Sequence, residues 1–545
     1  MANRSYLYSA AEGMACMYSL IVRGGRLYDG SGNPWFRGDI GVVGDRIEAI
    51  GDLRGSKAER TIDAGDHAVA PGFIDIHTHS DTSLLVDGRG ESHIRQGVTT
   101  AVIGNCGTSA APLTDSEADK MSGSFPAGSE WRWRTYAEYL ACVEKAGTSM
   151  NVAPLVGHGT VRNAVMGYRD EVPAPGELEA MSALVRQAME DGCFGMSTGL
   201  IYTPGCYGGT DEIVHLAKVV AEYGGLYFTH IRGENDTLLG AISEAIDVGR
   251  RSGAPVQIAH LKAMGSHMWG KSATVLRMID QARAEGLEVT FDQYPYTASA
   301  TGMAATLPPW AQAGGREKFM ERLGDSDARS RMKRDMEDGV DGWFSLLKGV
   351  GWDKIIVTNC RDASAIGKSV AQIAEGRGKD GFDTCFDLLV ENMGQVSIVF
   401  FNIGDEDLER ILRHPAGMIG SDSSSSAVDG TLARGKPHPR SYGTFARVLG
   451  HYARDKGVIS LEEAIRKMTM MPSRKLRLYD RGLLRPGMKA DMVVFDPATV
   501  GDRATYLDPF QYAAGVETVV VNGRVAVMDG ENTGEKPGQV LRRLS

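Results

Sequence analysis

Over residues 69–422 the chain alternates short apolar runs with amphipathic stretches, and this alternation is the strongest limit on what it can fold into. The apolar runs are 69–79, 99–106, 151–158, 193–198, 226–232, 256–262, 288–294, 355–359, 396–402 and 417–422. Helical periodicity falls between them, over 176–191 after Pro175, 211–223, 237–252 and 272–285. Strands that alternate with helices build a parallel α/β sheet or barrel, since parallel neighbours need a crossover of helix length. Ten runs exceed the eight staves of a closed barrel, so not all of them can belong to one.

The two ends have another character. Short strand-like runs at 20–22, 39–43, 46–50 and 60–62 are punctuated by glycine turns, and 490–495, 516–522 and 524–527 repeat that pattern. One small β domain built from both ends is expected, with two separate sheets as the alternative. Residues 297–352 break the alternation: they carry no clear strand and continue into a charged segment, as a lid or small subdomain would. The expected division is a disordered extension over 1–17, the small β domain over 18–70 and 481–545, and the α/β unit over 71–480 with its lid at 297–352. The first 17 residues lack a basic segment followed by an apolar core, so no signal peptide is read there. No apolar run is long enough to span a membrane. A net charge of −10 without a basic block argues against nucleic acid as a partner. Seven dispersed cysteines without CxxC pairs fit neither a disulfide framework nor a zinc ribbon, and point to a reducing cytoplasm.

Metal-type side chains gather at the ends of the apolar runs. In Ala70-Pro-Gly-Phe-Ile-Asp-Ile-His-Thr-His-Ser80, period two puts Asp75, His77 and His79 on one face, so both imidazoles can meet one ion. His230 and His260 end later runs, 30 residues or about one βα unit apart, and Cys106 and Asp422 end two more. In a parallel barrel all these ends open on the face that carries the active site. Each residue alone could be a core histidine, a buried thiol or a helix cap; their shared placement points to a metal centre. Asp75 is expected to support His77 rather than to ligate, His158 to serve structurally, and Arg232 to pair with Glu234.

The stretches Pro71-Gly-Phe-Ile-Asp-Ile-His-Thr-His79, Gly104-Asn-Cys-Gly107, Thr229-His-Ile-Arg232, Ala259-His-Leu-Lys262 and Gly420-Ser-Asp422 resemble the amidohydrolase superfamily, and within it the N-acyl-D-amino-acid deacylases. Gly195-Met-Ser-Thr-Gly-Leu-Ile-Tyr-Thr-Pro204, Asp292-Gln-Tyr-Pro-Tyr296 and Pro437-His-Pro-Arg-Ser-Tyr-Gly-Thr-Phe445 are similar to further stretches of that branch. The resemblance implies a distorted (β/α)8 TIM-type barrel with a small β-sandwich domain. It also implies one tight zinc on Cys106, His230 and His260, a second, weaker site at His77 and His79, and Asp422 as catalytic acid/base. Many relatives with paired metals bridge them by a carboxylated lysine on the fourth strand. No lysine occurs between Lys145 and Lys218, and Cys106 takes that place. The resemblance further implies that Lys262, Tyr294 and Arg440 hold the carboxylate of a small-molecule substrate. The family serine six residues after the tyrosine is replaced by Ala300.

The chemistry suits those residues. A thiolate with two imidazoles is a zinc donor set that leaves a position open for water. Arg and Lys are the side chains that bind a carboxylate, by a planar fork and a point charge. The expected activity is hydrolysis of N-acyl-D-amino acids. Hydrolysis of another amide (a cyclic imide, an N-carbamoyl amine or a dipeptide) is the alternative, and a non-catalytic binding protein of the same fold is a third reading.

Overall fold

The computed structural model describes residues 17–126, 129–340, 342–343 and 345–543. The extension expected over 1–17, with Cys16, lies outside these residues except for Met17.

An α/β framework occupies the middle of the chain. Its parallel strands are β1 (Phe73–Asp75), β2 (Val98–Ile103), β3 (Asn151–Pro154, continued by Val156–Gly157), β4 (Gly195–Gly199), β5 (Leu226–His230), β6 (Val256–Ile258), β7 (Val289–Gln293) and β8 (Gly417–Ile419). β1, β2 and β3 pair in that order, the continuation of β3 pairs with β4, and pairing runs on to β8 in chain order. A parallel bridge between Thr78 and Ser423 joins the segments just past β1 and β8. The strands are buried along almost their whole length, which explains why they read as continuous apolar runs. The expected helices fall at Pro175–Glu190, Thr210–Glu222, Leu238–Ser252 and Ser272–Ala284. Leu238–Ser252 buries Leu238, Ala241, Ile242, Ala245, Ile246 and Val248 on one side, and ends at Gly253 in the left-handed conformation that caps a helix.

Two of the ten apolar runs leave this series. Ile355–Asn359 and Ser397–Phe401 pair antiparallel with each other, and Ala298–Gly302 joins on the far side of Ser397–Phe401. Ile355 and Val357 of one strand and Ile398 and Phe400 of its partner share an apolar core of their own with Met303, Phe319, Leu323, Met332 and Phe386. That core reaches Phe400, well beyond the segment where the sequence rhythm breaks. Hydropathy reports burial and not strand direction, so these runs looked like further members of the parallel series.

The two ends share one nine-stranded sheet. Tyr18–Leu27 pairs with Phe36–Val43, with Ala58–Asp63 and with Ala68–Pro71. Ala68–Pro71 then pairs with Met492–Phe495, which passes the sheet on to Val516–Val521 and Arg524–Met528. The run read as a single strand over 69–79 is therefore divided: its first part belongs to this sheet and its second begins the parallel series. Gly72 lies at the division, where a Cβ would stand 2.2 Å from Thr99 Oγ1, so only glycine lets the chain pass there. Among the described residues no helix is long and apolar enough to cross a membrane.

Candidate active site

The chemistry-bearing side chains stand at or just beyond the C-terminal ends of β1, β2, β5, β6 and β8. His230 is the last residue of β5, while Cys106, His260 and Asp422 follow the ends of β2, β6 and β8. Those last three adopt positive φ angles of 51°, 33° and 50°. Left-handed backbone at non-glycine residues costs on the order of 1–3 kcal/mol each and persists where neighbours over-determine it. Asp422 N donates to His77 O at 2.8 Å, and His260 N donates to Asp292 Oδ1 at 2.8 Å. Beside Cys106, Gly199 leaves space that a side chain would take, since its Cβ would lie 2.0 Å from the Cys106 carbonyl.

The donor atoms converge. Cys106 Sγ lies 3.3 Å from His77 Nε2 and 3.6 Å from His260 Nε2, and His260 Nε2 lies 2.8 Å from His230 Nδ1. His79 Nε2 is 3.0 Å from Asp422 Oδ1, and His77 Nε2 is 3.4 Å from the same oxygen. Two groups result, Cys106–His230–His260 and His77–His79–Cys106–Asp422, each with its ligand atoms within 4.8 Å of one another and Cys106 common to both. All five metal-type residues of the sequence reading, and Asp422, thus meet in one place.

The electrostatics favour a cation. Burial would raise the Cys106 thiol, but the His77 charge and hydrogen bonds from His230, His260 and His77 hold it well below the ordinary thiol range. Burial likewise opposes ionisation of Asp422, yet Arg440, His260 and His77 hold its carboxyl well below the usual carboxylate range. Burial would lower His79, but hydrogen bonds to Asp422 and Cys106 raise it to about 9. A buried thiolate and carboxylate facing imidazole nitrogens make a donor set for a divalent ion, and sulfur with two imidazoles is a set zinc takes. His260 Nε2 and His230 Nδ1, 2.8 Å apart, are placed either to share a proton as a hydrogen bond or to face one ion together.

Groups behind the ligands refine one expectation and correct another. Asp75 supports His77 without joining either donor group, and it does so through the backbone: its Oδ1 accepts from the N–H groups of His77 and Ser421. The ring is held by Asp292, whose Oδ1 lies 2.9 Å from His77 Nδ1 while its Oδ2 accepts from Gln257 Nε2. Asp292 lies within β7, near its C-terminal end, and opens the Asp292-Gln-Tyr-Pro-Tyr296 stretch, but neither signal assigned it a partner. The Arg232–Glu234 pair does not form. Arg232 turns to Glu244 and to the carbonyls of Cys206 and Gly208. Glu234 turns inward, 2.5 Å from Lys262 Nζ and 3.1 Å from His260 Nδ1.

Arg440, Tyr294 and Lys262 form a buried cationic group beside Asp422. Arg440 Nη1 lies 2.8 Å from Asp422 Oδ2 without the alignment of a hydrogen bond, so it keeps donor capacity for another acceptor. Its guanidinium covers the Tyr294 ring at 4.8 Å, and Lys262 Nζ approaches that ring at 5.8 Å. His438, held neutral by burial and by Arg440, accepts from Arg440 N through Nδ1 and donates from Nε2 to Ala298 O. Tyr294 OH meets Ser299 Oγ at 3.0 Å, so a serine hydroxyl reaches the tyrosine from the residue before Ala300. Tyr202, which the sequence did not single out, stands edge-on to His230 with ring centroids 5.0 Å apart, and its hydroxyl reaches Thr301 Oγ1. It also lines a cavity of about 150 Å³ beside Cys106. His158 is bound to Glu212 at 2.7 Å and belongs to neither donor group. Cys142, Cys193, Cys206, Cys360 and Cys385 are free thiols outside both groups.

The profile of the amidohydrolase family matches residues 60–353 and 361–527. The chain is 37% identical to D-aminoacylase of Alcaligenes xylosoxydans xylosoxydans, over 97% of its own length and 98% of the relative's. It is 36% identical to N-acyl-D-glutamate deacylase of the same organism, over 96% of each chain. Among solved structures it resembles N-acyl-D-glutamate deacylase from Bordetella bronchiseptica, complexed with zinc and a phosphonate mimic of the tetrahedral intermediate. That match has a TM-score of 0.80 and 34% identity, covering 96% of this chain and 100% of the other.

Proposed function

The chain belongs to the amidohydrolase family, and we propose that it hydrolyses N-acyl-D-amino acids, with zinc, to a carboxylate and a free D-amino acid. The observation that carries this reading is the meeting, at the strand ends, of the Cys106–His230–His260 donor set, the ionised Asp422 and the half-satisfied Arg440. The closed ring implied by eight parallel strands and the Thr78–Ser423 bridge supports a distorted (β/α)8 barrel as the scaffold. On this reading the barrel spans 71–480, the β-sandwich domain combines 18–70 with 481–545, and the separate core that begins near Met303 forms a lid beside the site. The free thiols suit a reducing cytoplasm. The partner is a small molecule, with no role for nucleic acid or a membrane.

Cys106, His230 and His260 would hold the tight zinc, and His77 and His79 a second, weaker one. Bound zinc lowers the pKa of water from 15.7 towards about 7 and polarises an amide carbonyl. The chain's own residues supply the rest. Asp422, ionised and 2.8 Å from Arg440, can accept the proton of the attacking water and return it to the leaving nitrogen, a role worth ~10²–10⁴-fold. Asp292 and Glu234 fix the rings of His77 and His260 through their outer nitrogens. Arg440 and Lys262, on either side of Tyr294, receive the substrate carboxylate and set the amide beside Asp422.

The test is a release assay on paired N-acetyl-D- and N-acetyl-L-amino acids, before chelation, after it, and after zinc is restored. Activity on the D series that disappears with the metal and returns with zinc is expected. Turnover of the L series alone, or turnover indifferent to verified metal removal, refutes the reading.

A further inference from the structure

Asp422 can act only if its carboxylate stays fixed while its backbone sits at a φ of 50°. The contacts that hold this segment lead to one buried side chain outside the metal-binding groups. His93, fully buried on the short helix Glu91–Ile94, places Nε2 3.3 Å from Ser421 Oγ and 3.5 Å from Ser423 Oγ, the two residues that flank Asp422. The same nitrogen lies 3.5 Å from Asp75 Oδ2, an oxygen with no aligned hydrogen-bond partner. The other oxygen of Asp75 accepts from Ser421 N at 2.9 Å and His77 N at 3.1 Å. One imidazole therefore touches both serines and the carboxylate that ties β1 to the segment after β8.

The helix secures the far end of that segment as well. His93 Nδ1 meets Ser92 Oγ at 3.2 Å, Ser92 Oγ accepts from Ser426 N at 2.9 Å, and Ser92 N donates to Ser426 O at 3.0 Å. Ser423 Oγ donates to Ser421 Oγ at 3.0 Å, closing a small polar cluster beneath Asp422. The cluster is buried, and among the described residues its side chains form hydrogen bonds with one another and with backbone groups rather than with the donor atoms of the metal-binding groups.

We propose that His93 is a positioning residue for the reaction: with Asp75, Ser421 and Ser423 it holds Asp422 in its left-handed conformation, aimed between His79 and Arg440. A leucine of similar size would fill the space but leave Asp75 Oδ2 and the two serine hydroxyls without the polar partner that ties them together. The inference rests on Asp422 acting as the acid/base of the proposed hydrolysis.

The experiment uses zinc-loaded full-length enzyme with His93→Leu and His93→Gln, each also combined with Asp422→Asn, and a crystal structure of His93→Leu. Loss of a group behind the reacting residues typically lowers activity ~10–100-fold. His93→Leu is expected to lower kcat by that factor with KM and zinc content unchanged, and His93→Gln, which keeps a donor near Nε2, to recover part of the loss. In the Asp422→Asn background His93→Leu should change the residual rate little. The Asp422 carboxylate should be displaced in the His93→Leu crystal structure. An unchanged kcat, an equal loss in the Asp422→Asn background, or an undisplaced Asp422 overturns the proposal. If His93→Leu does not fold, His93→Gln decides by the same rates and by its own crystal structure. Should the wild-type enzyme turn over no N-acyl-D-amino acid, the proposed function fails by itself, and the position of Asp422 in the variant still decides the role of His93.

Discussion

Replacing Arg440 by methionine separates two jobs that one guanidinium performs. Its Nη1 lies 2.8 Å from Asp422 Oδ2, and both side chains are buried. The substitution therefore removes the neighbouring cation from a buried carboxylate and the fork that would receive the substrate's own carboxylate. A truncated partner in a buried charge pair costs about 2–5 kcal/mol, which at 1.36 kcal/mol per decade is a loss of about 30- to 5,000-fold in kcat/KM. The two jobs divide by substrate. An N-acetyl-D-amino acid presents a carboxylate to Arg440, whereas its primary amide presents none, so the amide reports only the effect that reaches the reaction through Asp422. Wild-type enzyme should prefer the acid strongly, and Arg440→Met should lose most of that preference, chiefly through KM. Arg440→Lys keeps the charge without the fork and should fall between them. The assay is steady-state kinetics on the matched acid and amide, with zinc content measured for each variant. Equal fold losses on both substrates would refute the reasoning, because Arg440 would then act on Asp422 alone.

Other residues yield equally direct expectations. Cys106→Ala removes the donor common to both ligand groups, so metal analysis should find the tight zinc lost together with activity; retained tight zinc would show that the donor set is misassigned. Asp292→Asn keeps the shape but discharges the group that holds His77 Nδ1 and His260 N, and should lower activity or metal affinity ~10–100-fold, read by kinetics across a zinc titration. Lys475 is buried beneath β6 against Val256 O and Glu288, and burial pushes it down to about 8. Its depressed value means that the unfolded chain binds more protons above about pH 8, so stability rises with pH from there to about pH 10, by about 3 kcal/mol for this residue. The buried thiols, raised above their ordinary range, oppose this rise, so the measurement is the difference between wild type and Lys475→Met in denaturant melts across that window, which should grow with pH by Lys475's share while Lys467, also at about 8, retains its own.

The metal-type residues and Asp422 were legible in the sequence because each sits at or near the end of an apolar run, whereas Arg440, outside any such run, was carried by the family resemblance alone. Run ends locate Cys106, His230, His260 and Asp422 because every parallel strand delivers its C-terminal end to one face. The residues that escaped are partners of those residues, and partnership is set by distances along the chain that no local pattern encodes. Asp292 reaches back 215 residues to His77, and Glu234 meets Lys262 rather than its neighbour Arg232. Strand direction was hidden for the same reason. Residues 355–359 and 396–402 are as apolar as the parallel strands, yet they pair antiparallel over a core of their own. Gly72 lay inside a run read as one strand, because its role in dividing that run between two sheets depends on Thr99 standing where a Cβ would be.

The two cations of the proposed clamp are both already engaged, and each is tied to the reaction through an acid. Lys262 pairs with Glu234, which also holds His260; Arg440 pairs with Asp422, which also meets His79. Burial opposes the charge on Lys262, but Glu234 and Tyr294 outweigh it and raise its pKa, so Lys262 enters any complex protonated. A substrate carboxylate arriving between them therefore meets a site whose local charges are near balance, and it must compete with the acids already present. Lys262 has three donors, and Glu234 Oε1, His260 O and His260 Nδ1 already stand within reach of its Nζ, so a substrate oxygen must displace one of the His260 contacts while Glu234 is kept. Arg440 is different, because its Nη1 faces Asp422 without a hydrogen bond and the planar fork can turn to a better-aligned partner. Whatever share of that charge the substrate takes is withdrawn from Asp422, and a carboxylate with less positive charge beside it is the stronger base. Substrates that carry a carboxylate would thus sharpen the group that acts on their own amide bond, whereas the matched amides would leave Asp422 held by Arg440.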